Sequence, residues 1–306
     1  MKINKKSPFR YLGRLVLDRS VLAFRLLFAF RKGWRWLHIQ KPVTALLGFQ
    51  YKVADDLIEI DLTYQCNLKC NNCNRSSAQA PEAVHIKLSV IKDFVEQSLV
   101  QKRYWQRIRI LGGEPTLHPD FLAIIDQLLL LKKNCPDTVI QVVSNGYGRK
   151  VEAMLAKLPE SIQVENSAKS SNIQPAFGPF NLAPQDSWQY RFADYRNGCG
   201  IAGAGIGLTP QGYYQCTVAG GIDRVKGVNG GRKSLPDSRD GMRDLMNQAC
   251  RLCGHFRDGH YVPEILRPSL LEQRISPSWE NIYREWRARK LRTPAVSADE
   301  EKSMHR

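Results

Sequence analysis

Short apolar runs alternate with helical patterns from residue 56 onward. Strands are predicted at "LIEIDLT", "RIRILGG", "TVIQVVSNG" and "SIQVEN". Helices are predicted from Ser89 to about Leu99 and at "FLAIIDQLLLLKK" and "RKVEAMLAKL". This order predicts right-handed βαβ units on a parallel sheet, built either as an open sheet or as a partial barrel. Both architectures collect ligands at the carboxyl ends of the strands.

The first fifty residues combine positive charge with large apolar side chains. Asp18 alone opposes the basic residues of this segment, which are Lys2, Lys5, Lys6, Arg10, Arg14, Arg19, Arg25, Arg31, Lys32, Arg35 and Lys41. In a helix, five charged residues fall within an arc of about 80°: Arg10, Arg14, Asp18, Arg25 and Lys32. Arg19 and Arg31 break this pattern, so the amphipathicity is imperfect. No apolar run reaches the ~18 residues of a membrane span, because Arg25 interrupts the best candidate.

Two interpretations of this segment stay open. A basic amphipathic helix ending in Trp34 and Trp36 suits the surface of an anionic membrane, in a contact through residues 1–50. The same pattern also suits a helix that packs on the main domain and leaves its arginines in solvent. Nucleic acid is not favoured as a partner, because no recognition motif accompanies the charge.

Composition places the chain among ordinary globular proteins, except for its cysteines. Its 306 residues, 43% hydrophobic and 24% charged, allow one large domain or one domain with a smaller annex. The chain has eight cysteines and no stretch with the features of a secretory signal. We therefore expect a cytoplasmic protein, with peripheral contact at the inner membrane face as an open addition. In a reducing compartment, clustered thiols bind metal or do redox chemistry more often than they form disulfides.

Three polar stretches follow the first three predicted strands. "CNLKCNNC" places three thiols in one loop, those of Cys66, Cys70 and Cys73. Three thiolates on a four-site cluster leave one position for a non-protein ligand. In "GGEPTLHPD", Gly112 and Gly113 let the backbone approach a bound molecule, and the Glu114 carboxylate can accept hydrogen bonds from an ammonium group. Half a zinc site and a simple turn are the alternatives, but the order of these stretches on successive strand ends favours one shared site.

These stretches resemble the cluster-binding and glycine–glycine–glutamate motifs of the radical S-adenosylmethionine enzymes. The resemblance implies that the three cysteines hold a [4Fe–4S] cluster whose fourth iron takes the amino and carboxylate groups of S-adenosylmethionine. It also implies that Glu114, with Gly112 and Gly113, receives the methionyl amine, and that Ser144 and Asn145 of "SNG" approach the ribose. Members of the family cleave the cofactor to a 5'-deoxyadenosyl radical, which abstracts hydrogen from a substrate.

The resemblance covers roughly residues 56 to 190 and implies an α/β fold of the partial (β/α)6 TIM-type barrel. The family also takes its electron from a donor such as flavodoxin or ferredoxin. One departure is visible at Asn72, which stands where many members have an aromatic residue near the adenine.

A second group of cysteines lies in the C-terminal half. "CGIAGAGIGLTPQGYYQC" predicts a β-hairpin that brings two of them together, and "CRLC" adds a C-x2-C pair; the four are Cys199, Cys216, Cys250 and Cys253. By spacing alone they suit either a zinc site or an iron–sulfur cluster. They resemble the twitch form of the SPASM extensions, which implies a second, auxiliary [4Fe–4S] cluster in a cysteine-rich β-hairpin and helix extension. Cys135 stands alone and is expected to be a packed or surface thiol.

The substrate is the least determined part of the prediction. Four polar residues of the last barrel strands and loops are candidates to line its side, Glu165, Lys169, Asn181 and Asp186. Asp186 or Lys169 is the expected proton acceptor if an oxidation follows the radical step, although solvated loop residues are the commoner fate of such positions. The expected substrate is a small sugar- or lipid-linked metabolite or a peptide side chain. The competing class is a non-catalytic protein with structural zinc.

Four segments are predicted along the chain. They are a basic helical segment (1–55), the radical S-adenosylmethionine barrel (56–190), the auxiliary-cluster domain (191–265), and a charged helix with a flexible tail (266–306).

Overall fold

One mixed sheet of six strands organises the molecule. The computed structural model describes residues 20–167, 180–258 and 275–292. The strands are β1 (Leu57–Asp61), β2 (Arg107–Leu111), β3 (Val139–Ser144), β4 (Gln163–Asn166), β5 (Ile206–Thr209) and β6 (Gly212–Tyr214). Their order in the sheet is β4-β3-β2-β1-β5-β6, and all neighbouring pairs are parallel except β5 and β6. The predicted α/β class is confirmed.

Helices connect the strands and extend the chain at both ends. They are α1 (Val21–His38), α2 (Lys41–Leu47), α3 (Leu88–Val100), α4 (Phe121–Asn134), α5 (Arg149–Leu155), α6 (Thr217–Lys226), α7 (Arg243–Ala249), α8 (His255–Asp258) and α9 (Pro277–Arg292). The three predicted helices correspond to α3, α4 and α5, which connect β1 to β4 in the βαβ rhythm. Among the described helices, none is both long and apolar enough to cross a bilayer.

The strands separate an apolar face from a polar face because their side chains alternate. Ile60 of β1 lies opposite Ile110 of β2 and is fully buried. These apolar positions form the core together with Phe94 of α3 and Phe121 of α4. The alternate positions carry charged and polar side chains, so the other face of the sheet is available for chemistry.

The hairpin β5–β6 does not form a separate extension; it continues the sheet beside β1. Gly207 of β5 lies opposite Glu59 of β1. A side chain on Gly205 would lie 3.1 Å from the Ile58 backbone, so the hairpin packs closely on β1. The sheet therefore runs across the boundary that the sequence placed at residue 190. A six-unit barrel is not seen in the described residues, where four successive parallel strands are followed by this hairpin.

Both ends of the described chain pack on the sheet domain. Phe24, Phe28 and Arg35 form the buried side of α1, and Trp279 and Tyr283 anchor α9 in the core. Of the predicted polar arc of the N-terminal helix, only Arg25 and Lys32 lie within the described residues. Its other three residues precede residue 20. The predicted tail lies beyond residue 292, outside the described residues.

Candidate active site

A cavity of about 260 Å³ opens at the carboxyl ends of β1, β2 and β3. Eight of the residues assigned to a site from the sequence line it: Cys66, Cys70, Cys73, Gly112, Gly113, Ser144, Asn145 and Glu165. The loops meet there because parallel neighbouring strands end at the same edge of the sheet. The structure therefore brings the three polar stretches around one space.

The cysteine loop after β1 places all three of its cysteines on the wall of the cavity. The Cys73 N–H donates to the Cys70 carbonyl at 3.3 Å, and Cys66 Sγ accepts from the Leu68 N–H at 3.4 Å. Burial raises the pKa of Cys66 to about 11, and the charges of the Cys73 and Cys70 thiols act in the same direction. A metal centre must therefore displace a proton from this thiol. Three sulfur donors in one loop fit iron–sulfur clusters or zinc better than hard cations.

The glycine pair after β2 is required by the approach of two loops of the protein itself. A Cβ on Gly112 would lie 2.4 Å from the Thr63 carbonyl oxygen, and its φ of 143° also disfavours other residues. A Cβ on Gly113 would lie 2.2 Å from the Gln65 carbonyl oxygen. Thr63 and Gln65 lead directly into the cysteine loop. The sequence predicted that these glycines let the backbone approach a bound molecule. In the structure, they let the loop after β2 approach the backbone segment that leads to Cys66.

Glu114 lies beneath the cavity and is fully buried. Its Oε1 accepts from the Thr116 hydroxyl at 2.7 Å and from the Ser144 hydroxyl at 2.9 Å. Its Oε2 accepts from the Asn145 backbone N–H at 2.8 Å. The carboxylate thus joins the loop after β2 to the loop after β3. The contact of Glu114 with an amine of the cofactor stays a prediction.

The loop after β3 reaches back to the cysteine loop. The Asn145 side chain donates to Asn67 Oδ1 at 2.8 Å and lies 3.8 Å from Cys66 Sγ. The Ser144 hydroxyl donates to Glu114 and accepts from the Gly146 N–H at 3.0 Å. Ser144 and Asn145 both line the cavity, and both hold the geometry of the loops around it.

A charged network on the polar face of the sheet forms the floor of the cavity. Arg109 donates to Glu59 at 2.6 Å and to Glu165 at 3.1 Å. Arg75 donates to both carboxylate oxygens of Asp61 at 3.2 Å. Burial raises the pKa of Asp61, and the adjacent Arg75 offsets part of that rise. The sequence analysis missed these residues except Glu165. For Glu59, Asp61 and Arg109, the signal in the sequence was a charge at every second position of a strand with apolar residues between.

Two further candidates, Asp186 and Asn181, are not among the residues that line this cavity. Asp186 accepts from the Ser278 N–H at 2.9 Å and from its hydroxyl at 2.5 Å, and so fixes the start of α9. Burial opposes the ionisation of Asp186, but hydrogen bonds from serine hydroxyls outweigh it and lower the pKa. Asn181 is buried and accepts from the Tyr283 hydroxyl at 2.9 Å. Lys169 lies outside the described residues. Asp186 and Asn181 therefore have structural contacts, and Glu165 is the described candidate that faces the cavity.

The second group of cysteines forms a buried cluster of thiols. Cys199 precedes β5, Cys216 precedes α6, and Cys250 and Cys253 follow α7. Burial raises the pKa of Cys250 well above its ordinary value, and the charges of the three other thiols add to the rise. Within the described ranges, no set of three or more His, Cys, Asp or Glu side chains is arranged to hold a single metal ion.

A buried arginine from α1 lies beside this second group. Arg35 donates to the carbonyl oxygens of Gly198 at 3.0 Å and Phe256 at 2.5 and 3.0 Å, and to Gln50 at 2.8 Å. Its positive charge acts against the burial that raises the pKa of Cys199. One interpretation of the sequence had this helix packed on the domain with its arginines in solvent. In the structure the helix packs on the domain, but Arg35 is buried.

The segment that carries the first site is similar to known proteins. Residues 60–168 match the family model described as "Radical SAM superfamily". The GTP 3',8-cyclase of Mannheimia succiniciproducens is 32% identical over 95 residues, which are 29% of this chain and 26% of that protein. The same enzyme of Haemophilus influenzae is 30% identical over 93 residues, with the same coverage. The chain thus spans about a quarter of the length of these curated relatives.

Two solved structures give weaker similarities. BtrN in complex with AdoMet and 2-DOIA has a TM-score of 0.36 and 13% identity, covering 69% of this chain and 90% of that chain. Native anSMEcpe with bound AdoMet and Cp18Cys peptide has a TM-score of 0.32 and 13% identity, covering 75% and 95%. Neither similarity is strong enough to establish a shared fold. The segment that matches the radical SAM superfamily model, residues 60–168, contains the three thiols and the glycine pair that line the cavity.

Proposed function

We propose that this protein is an enzyme that uses S-adenosylmethionine and a [4Fe–4S] cluster held by Cys66, Cys70 and Cys73. The observation that carries the proposal is the convergence of three thiols and the loops after β2 and β3 on one cavity, within the segment that matches the superfamily. Three thiolates leave one iron free for a non-protein ligand. When bound, the cluster and cofactor supply a 5'-deoxyadenosyl radical that abstracts hydrogen from a substrate.

The residues around the cavity then have separate tasks. The cysteines hold the cluster, and the backbone of Gly112 and Gly113 and the polar groups of Ser144 and Asn145 face the cofactor. Glu114 holds the two loops in register without facing the cavity. This division departs from the amine-binding role that the resemblance implies for the Glu114 side chain.

The substrate we propose is a small polar metabolite, sugar- or lipid-linked. Arg75, Arg109, Glu59 and Glu165 line the cavity, and such charges suit hydroxyl or ionic groups better than an apolar side chain. Glu165 is half exposed and paired with Arg109, so Glu165 Oε2 is the proposed proton acceptor if an oxidation follows. A peptide side chain is the second substrate class, and incubation with both classes under reducing conditions separates them.

We further propose that the buried cysteines Cys199, Cys216, Cys250 and Cys253 hold an auxiliary [4Fe–4S] cluster in a twitch-like region. Four mutually interacting thiols complete the ligation of such a cluster, and the positive Arg35 beside them suits its negative charge. The cluster would carry electrons to or from the substrate, and a flavodoxin or ferredoxin is the proposed external donor. We place the protein in the cytoplasm, with α1 in peripheral contact with the inner membrane face.

Metal analysis after anaerobic purification and reconstitution tests both assignments. We expect about eight irons and eight sulfides per chain. Alanine at Cys66, Cys70 and Cys73 should leave about half of the iron and abolish 5'-deoxyadenosine production, whereas alanine at Cys250 and Cys253 should leave about half with cofactor binding retained.

Cys135→Ala is the matched control, because this thiol belongs to neither group, and its iron content should equal that of the wild type. A product with about two zincs and no iron would overturn the proposal in favour of structural zinc. Iron that is present without any 5'-deoxyadenosine under reducing conditions would overturn the radical chemistry alone.

A further inference from the structure

Helix α1 turns one side to the protein and an uninterrupted apolar side to solvent. Phe24, Phe28 and Arg35 form the buried side. The opposite side spans about 160° at about 100° per residue. It consists of exposed apolar residues and glycine only, and we call it the apolar face: Leu22, Ala23, Leu26, Ala29, Phe30, Gly33, Trp34, Trp36 and Leu37. Leu26 and Phe30 are 63% and 73% exposed.

This arrangement is the reverse of a helix that packs for stability alone. Such a helix buries its apolar stripe and leaves its charges in solvent. Here a charged residue, Arg35, is buried, and the widest apolar arc faces outward. Contiguous apolar surface of this kind on a folded domain marks an interaction site.

The charge around the apolar face favours a negatively charged occupant. Helix α1 contains no acidic residue, and the exposed Arg25 lies at the edge of the face. A second copy of the chain would bring like charges together. An anionic bilayer would instead bury the apolar face and attract the basic flank, as it does with interfacial helices.

A basic groove of about 520 Å³ lies next to the end of α1. Its charged lining residues are Lys41, Arg191, Arg196, Arg251 and Asp194. Arg196 is engaged with the single carboxylate, Asp194, at 2.7 Å. The three other basic side chains therefore leave the groove positive, which suits a phosphate group.

One segment, residues 188–192, contacts both a residue of the apolar face and a residue of the groove. The Trp36 indole N–H donates to the Gln189 carbonyl at 2.9 Å, and the Lys41 backbone N–H donates to the Phe192 carbonyl at 2.9 Å. Trp188 and Phe192 in this segment are 75% and 56% exposed. Exposed aromatic residues between apolar and basic surfaces are typical of the level of lipid headgroups.

We propose that the apolar face and the basic groove form one docking surface for an anionic bilayer. Helix α1 lies in the plane of the membrane interface, and a lipid phosphate group binds in the groove. The inference is independent of the radical chemistry, because neither surface includes a residue of the cavity or of the two cysteine groups.

Cosedimentation of the full-length chain with lipid vesicles tests this proposal. Vesicles of phosphatidylcholine with about 40% phosphatidylglycerol should bind the protein at low salt, and pure phosphatidylcholine should bind it much more weakly. Phe30→Glu should lower the partition coefficient at least about tenfold. Val100→Glu is the matched control, because Val100 is 75% exposed on α3, away from the surface, and its partition should equal that of the wild type.

The groove has a separate readout. Arg191→Gln should lower binding to anionic vesicles by about fivefold and should not change binding to neutral ones. The proposal is overturned if the wild type ignores anionic vesicles, or if Phe30→Glu binds them as well as the wild type does. It is also overturned if Phe30→Glu merely converts a dimer to a monomer, if it lowers the thermal midpoint as a buried substitution would, or if inorganic phosphate binds while vesicles do not.

Discussion

Glu114→Gln distinguishes a residue that positions loops from one that contacts the cofactor. The carboxylate is fully buried, and its two oxygens accept from Thr116, from Ser144 and from the backbone of Asn145. Glutamine keeps one carbonyl oxygen for the two hydroxyl groups. It presents an amide donor to the Asn145 N–H, which is also a donor, so that hydrogen bond is lost.

The size of the effect follows from this single lost contact. A buried hydrogen bond to a charged group contributes about 1.5–3 kcal/mol. We therefore expect Glu114→Gln to lower the free energy of unfolding by about 2 kcal/mol, which corresponds to about 4–8 °C in the thermal midpoint. Because Asn145 also contacts Asn67 beside Cys66, iron content after reconstitution should fall together with stability.

The assay combines thermal unfolding, iron content and titration with S-adenosylmethionine under anaerobic conditions. Glu152→Gln is the control, because Glu152 is an exposed carboxylate on α5, and it should change none of the three quantities. Suppose that Glu114→Gln keeps the wild-type midpoint and iron content but loses affinity for the cofactor more than about tenfold. The carboxylate would then bind the cofactor directly, and the positioning argument would be refuted.

Three further predictions follow from other contacts. Gly113→Ala should prevent iron incorporation, because its Cβ would lie 2.2 Å from the Gln65 carbonyl oxygen; iron analysis checks this. Arg35→Met should lower the free energy of unfolding by about 3 kcal/mol, measured by urea denaturation, because it leaves buried acceptors unpaired. Burial opposes the ionisation of Glu82, but two basic side chains outweigh it and hold its pKa below 4.5. The ionised Glu82 therefore stabilises the fold above that pH, and this stabilisation is lost as the pH falls through the lower pKa of the folded state. The free energy of unfolding of the wild type should therefore fall more than that of Glu82→Gln between about pH 5 and pH 3.

The parallel part of the fold could be predicted because its signals are local. Four strands and the three helices between them were visible from alternation and helical periodicity, and the loops after the first three strands converge because parallel strands end together. The pairing of β5 with β1 was not predictable in this way. It joins segments far apart in the chain, and neither segment carries a pattern that specifies its neighbour in the sheet.

The parts of the candidate site that form a sequence motif could be predicted. The parts that depend on the orientation of side chains in the folded protein could not. The spacing of Cys66, Cys70 and Cys73 predicted three thiols in one loop, and all three cysteines line the cavity. The burial of Glu114 and the position of Asp186 at the start of α9 depend on tertiary packing. Arg109 of β2 was not assigned to the site from the sequence, because no motif contains it, and its side chain lines the cavity.

One buried network connects the loops of both cysteine groups. Arg75 follows Cys73 by two residues and donates to Asp61 of β1 and, at 2.6 Å, to the hydroxyl of Thr217, the residue after Cys216. Asp61 is fully buried, so its charge depends on Arg75, and a buried charge without a partner is strongly destabilising. A displacement of either loop would therefore strain the other through the same guanidinium group. One guanidinium group, bound to Asp61 of β1, thus contacts the loops of both cysteine groups, although the sequence assigned these groups to separate domains.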